Sequence, residues 1–137
     1  MAAFSTSVSN QILNITLRNT PVVTPAGGFN ASPVYVALFT TPTTAGGGGT
    51  EVADVNYLRQ AVTFTDPSAT PALSHNAADI TFPAAAAPYT VTHCAIMTVG
   101  PGAGGVMIYQ GPVAAPKSVG TGESFRMLAT SLVCGLN

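Results

Sequence analysis

Short apolar runs alternate along the chain with clusters of turn-forming residues, and this rhythm predicts strands. Val34 to Thr40 is a continuous β-branched and aromatic run, which predicts a central strand buried on both faces. Leu58 to Phe64 alternates, placing Leu58, Gln60, Val62 and Phe64 on one face and Tyr57, Arg59 and Thr63 on the other. Asp79 to Phe82 is a short strand closed by Pro83. Thr90 to Val99 is the longest candidate. Strict alternation there puts Val91, His93, Ala95, Met97 and Val99 on one face and Thr90, Thr92, Cys94, Ile96 and Thr98 on the other. The glycine-rich segment Gly100 to Gly105 then leads into Val106 to Gln110, a hairpin signal. A short piece at Lys117 to Val119 connects through Gly120 to Gly122 with Ser124 to Met127, and Thr130 to Leu136 closes the set. About eight strands of this kind predict an all-β fold, an antiparallel β-sandwich of jelly-roll type.

The first residues follow a different pattern. Val8, Ile12 and Ile15 have helical spacing, with Ser5, Ser7 or Ser9 as N-caps, whereas Leu13, Ile15 and Leu17 have strand spacing. Periodicity leaves Ser9 to Arg18 open between the two. Asn19 to Pro33 is rich in Pro, Gly, Thr and Asn and reads as an extended connector. The chain therefore divides into an N-terminal helix or arm with its connector, 1–33, and a β-sandwich domain, 34–137. Thr41 to Asn56, with its Gly46 to Gly49 run, and Thr65 to Ala78 read as long loops.

Charge changes the picture. In 137 residues the ionic inventory is Arg18, Arg59, Lys117 and Arg126 against Glu51, Asp54, Asp66, Asp79 and Glu123. That is 7% of the chain, where soluble domains usually carry about 25%. A surface so poor in charge is expected to be covered by neighbouring subunits. Four scattered cations make no phosphate-tracking patch, so nucleic acid is not expected as a direct partner. No basic amphipathic stretch and no apolar run of about 18 residues points to a membrane. The opening residues lack the regions of a signal peptide, so a soluble chain not exported by that route is expected.

No constellation able to do chemistry emerges, and no catalytic, cofactor-binding or metal-binding residue is expected. Gly100, Gly102 and Gly105 match a dinucleotide fingerprint in spacing, but a β-branched strand follows where a helix is required. His75 and His93 are the available imidazoles. His93 and Cys94 are neighbours on a strand, so their side chains leave opposite faces, and His75 is placed in a polar loop. Cys94 and Cys134 read as buried thiols, with a bridge between them left open. The carboxylates are isolated along the chain. Tyr35, Tyr57, Tyr89 and Tyr109 read as core or interface residues rather than a sugar-stacking platform.

Several blocks in one order carry a resemblance: Val34 to Pro42, Gly49 to Val52, Tyr57 to Phe64, Asn76 to Pro83, Val91 to Ile96, Lys117 to Val119, and Gly122 to Arg126. They resemble small tailed-bacteriophage virion proteins, β-sandwiches that include capsid cement or decoration proteins and members labelled tail-fibre proteins. Asn10 to Asn19 resembles that family's short N-terminal helix, and Ala84 to Ala87 departs from its usual aromatic-containing segment. The resemblance implies a virion component, made in the host bacterial cytoplasm and carrying no catalytic residues. The expected role is a capsid cement protein on the outer capsid surface, a homodimer or homotrimer bridging major capsid protein subunits. The alternative is a tail-fibre or baseplate subunit involved in host attachment.

Overall fold

The computed structural model describes residues 3–4, 17, 33–66, 73–102 and 104–135. Within them lie nine strands: β1 (Ala3–Phe4), β2 (Val34–Phe39), β3 (Gln60–Val62), β4 (Leu73–His75), β5 (Ile80–Thr81), β6 (Tyr89–Met97), β7 (Met107–Val119), β8 (Arg126–Met127) and β9 (Val133–Gly135). The fold is all-β, and every strand pair is antiparallel. A five-stranded sheet runs β1-β7-β6-β2-β3, and two two-stranded ribbons, β4-β9 and β5-β8, accompany it.

The burial of β2 follows from its sequence. Val36 and Leu38 face one side and Ala37 and Phe39 the other, and all four are buried. The first side meets β5, β8 and β9 in the main core, through Ile80, Phe82, Phe125, Met127, Leu132 and Cys134. The Phe82 ring stacks on Tyr57 (6.0 Å, 4°) and meets Phe125 edge-on (6.0 Å, 70°), both favoured aromatic geometries. Ala37 and Phe39 form a second, smaller cluster with Ala95, Met97 and Met107 on the opposite side.

The chain passes from the large sheet to a ribbon just after β3. Phe64 bridges Asn76, the Thr65 amide donates to His75 O (2.8 Å), and the Ala77 amide donates to Thr63 O (2.9 Å). A strand that changes sheets in this way ties two layers together without a separate linker.

Four expectations are corrected. Strict alternation through Thr90 to Val99 fails because β6 and β7 change register between Val91↔Lys117 and His93↔Pro112. That jump sets Thr92 against the looped-out Val113 to Pro116, so Val91 joins Cys94 and Ile96 in the main core instead of sharing a face with Ala95. Lys117 to Val119 is no separate piece but the end of β7, which runs on through Pro112, at the border of the bulged stretch, and Pro116, within it. The expected loop Thr65 to Ala78 contains β4, whose partner β9 lies far along the chain and leaves no local turn signal. His75 therefore stands on a strand, half-buried, not in a polar loop. Neither reading of Ser9 to Arg18 is tested: the segment lies outside the described residues apart from Leu17, which is exposed.

Candidate functional site

The residues with catalytic potential are dispersed. His93 lies opposite the start of the β7 bulge, with Nδ1 3.1 Å from Thr92 Oγ1, while Cys94 packs into the main core. Burial pushes the Cys94 thiol up to about 11 and, with help from Cys94, the Cys134 thiol up to about 11. Both cysteines are free and buried, chemically quiet thiols. Among the described residues, His75 Nδ1 is buried without a hydrogen-bond partner. Among the described residues, no three His, Cys, Asp or Glu side chains gather as a ligand set. The Gly100 to Gly105 segment closes a hairpin: the Thr98 amide donates to Val106 O (3.0 Å) and the Val106 amide to Thr98 Oγ1 (2.9 Å). Tyr57, Tyr89 and Tyr109 pack against the main core.

The best-built polar cluster surrounds Arg59, whose side chain is 4% exposed. The hairpin from β2 through the 41–50 loop positions Glu51 opposite Phe39. Arg59 then reaches Glu51 in a two-pronged pair, Nε to Oε1 and Nη2 to Oε2, each 2.8 Å. Its Nη1 donates to Val99 O (3.0 Å) and Gly104 O (2.9 Å), so it fastens the β6–β7 hairpin to the 51–59 segment. Tyr57 completes the cluster, donating to Glu51 Oε1 (3.0 Å) and accepting from the Leu38 amide (2.9 Å). Burial raises the Tyr57 phenol well above its ordinary value, and the hydrogen bond to Glu51 raises the Arg59 guanidinium. Every strong donor in this cluster is committed internally. It holds two loops at one end of the sheet and leaves Val55, Leu58 and Val99 exposed around it.

A second clamp joins the two ribbons. Asn76 is fully buried and fully used: Oδ1 accepts from the Leu132 amide (2.8 Å), and Nδ2 donates to Ala78 O (2.9 Å) and Leu128 O (2.8 Å). Its carbonyl also accepts from the amide of Thr130, a β-branched residue held at φ 66. Asp79 pairs with Arg126 and accepts from the Ala129 amide (2.6 Å). The Arg126 hydrogen bond, followed by that of Ala129, holds the Asp79 carboxyl below its ordinary value. Asp54 caps the alanine run in the same manner, accepting from Ala86 Nα (3.0 Å) and Ala87 Nα (2.8 Å). Burial pushes its carboxyl up, and the amides of Ala87, Ala86 and Asn56 outweigh this and leave it lowered.

The carboxylates, isolated from one another along the chain, find cationic partners instead: Glu51 and Asp79 are each paired with an arginine. The only sequence signal for the first was an arginine set in an apolar run that follows a glutamate.

Beside the β7 bulge opens an apolar groove of about 480 Å³, lined by Cys94, Val113, Phe125, Met127, Leu128 and Leu132. Its rim residue Leu128 is largely exposed. What the described surface offers is contact area on a stiffly clamped sheet, the equipment of a structural protein.

These features define an all-β module with two internal polar clamps and an apolar groove. A family described as Podophage GP4 fiber I protein gp80 matches residues 3–135, and the chain belongs to it. It is therefore a bacteriophage structural protein of the virion, from a family named for a fibre rather than for a cement protein. No curated protein matches the chain.

Proposed function

We propose that this chain is a fibre subunit of a phage virion, a load-bearing and contact-making protein without catalytic activity. The observation that carries this is the family match, which spans nearly the whole chain and bears a fibre description. The physical features agree with it. Loops that must keep their shape in a fibre are pinned by Arg59 and Asn76, and the charge-poor exterior suits burial against like subunits. Of the two placements considered from sequence, the tail fibre or baseplate is thus preferred to the outer capsid surface. The cement reading keeps one observation in its favour, the 7% of charged residues, which suits seams between major capsid protein subunits equally well.

Quantitative mass spectrometry of purified particles separates the two. A fibre subunit is expected at a small fraction of the major capsid protein's copy number. Near-stoichiometric amounts would reject the fibre reading in favour of cement.

A further inference from the structure

We propose that the β7 edge at Met107 to Gly111 is an exchange site, which in the assembled protein receives the Ala3–Phe4 strand of a second copy of this chain. One side of β7 is paired with β6 at both of its ends. Among the described residues, its other side is met by β1 alone, in the register Ala3↔Gln110 and Phe4↔Tyr109.

The rest of that edge carries the devices that discourage pairing. Pro112, Pro116, Lys117 and the bulge from Val113 to Pro116 all fall beyond Gly111. Met107 to Gly111 has neither proline nor charge and is the stretch left competent to take a strand. Strand β1 lies where the edge is open.

Chain geometry does not reserve that position for the chain's own β1. In the sheet, β1 and β2 are separated by β7 and β6, three strand spacings or about 14 Å. The sequence between them, 5–33, can span up to roughly 95 Å. When two copies abut, the neighbour's β1 competes for the edge at a comparable local concentration. Swapping an identical element is a low-cost route to assembly, and a chain this poor in charge offers little repulsion against it. The inference rests on the β1–β7 register and holds in a fibre or in a shell.

Cysteine pairing tests it on the full chain. Ala3→Cys and Gln110→Cys sit at facing Cα positions, whose separation in an antiparallel ladder suits a disulfide. Equimolar Ala3→Cys and Gln110→Cys proteins are mixed under mild oxidation, with the unaltered chain as the blank for buried Cys94 and Cys134. The expected result is a mixed disulfide dimer at least tenfold above that from either variant alone. The double variant is expected to give reducible multimers. A double variant that closes only within its own chain, or no bridge in either format, overturns the proposal. Deleting residues 1–8 gives an independent readout by sedimentation. Self-association at least tenfold weaker with the β-rich circular dichroism kept is expected, and unchanged association contradicts the exchange.

Discussion

Arg59 and Arg126 each grip a carboxylate beside a turn, yet one side chain is 4% exposed and the other 57%. The same chemical pair does different work in the two places. The Arg59 side chain is shut off from water, and its three nitrogens find partners within the protein and bind two loops at once. Around Arg126 water competes for both charges, and the lasting attachment comes instead from the neutral, fully buried Asn76. At the β6–β7 hairpin an ion pair with a buried arginine holds the shape. Between the ribbons a buried amide does, and the ion pair is an accessory.

Arg59→Met should have the largest effect, because it leaves Glu51 without its cationic partner and the Val99 and Gly104 carbonyls without their donor. Loss of one partner of a buried pair costs about 3–5 kcal/mol, read as a fall in the urea midpoint. The double variant Arg59→Met with Glu51→Leu should recover part of that loss, since no uncompensated charge then stays buried. Full additivity would place the Arg59 cluster in the same class as the exposed pair.

Asn76→Ala comes next, stranding the Leu132 amide and the Ala78 carbonyl and leaving Leu128 O to Ser131 alone, at a cost of about 2–4 kcal/mol. Equal stability of Asn76→Ala and wild type in urea would show that this junction has another fastening.

Gly105→Ala should cost about 1–2 kcal/mol. Gly105 has φ +85, and an added Cβ would lie 2.9 Å from Val99 Cβ, in the hairpin that Arg59 holds. Thermal unfolding should therefore show Gly105→Ala as less damaging than Arg59→Met.

The smallest effect belongs to Asp79 and Arg126. The folded-state pKa of Asp79 is lowered, so its contribution is present above the unfolded value and fades as pH falls through the folded one. Asp79→Asn should accordingly flatten the acid side of the stability profile below about pH 4 and leave neutral pH little changed. Arg126→Met should weaken stability less in high salt than in low. A pH-independent or salt-independent loss would mean that Asp79 acts through Ala129 alone.

How far the sequence foretold this structure depended on the range of the determinant. Val34 to Phe39 was legible as a doubly buried strand because the signal is carried within the run itself. The Gly100 to Gly105 hairpin was legible because its glycines sit where φ is positive, at Gly102, Gly104 and Gly105. The β7 bulge was not, since the four residues that face Thr92 alone are defined only once both strands are paired. Strand β4 was hidden for the same reason. Its Leu73, Ser74 and His75 carry no strand rhythm and are held by Gly135, Cys134 and Val133 from the end of the chain. The Arg59 cluster was read as separate charges because alternation assigned Tyr57 and Arg59 to one face of a strand that begins only at Gln60. In the alanine run, Ala85 lies in the core with its amide donating to Glu123 O (2.8 Å), close packing for which a small side chain is suited. A departure from an expected aromatic pattern there is thus a matter of space.

Locating the chain on intact particles addresses the fibre reading most directly. Gold-labelled antibody or subtomogram averaging should place it on fibres, in low copy number and in contact with its own copies. Density distributed over the capsid lattice, with bare fibres, would contradict the account.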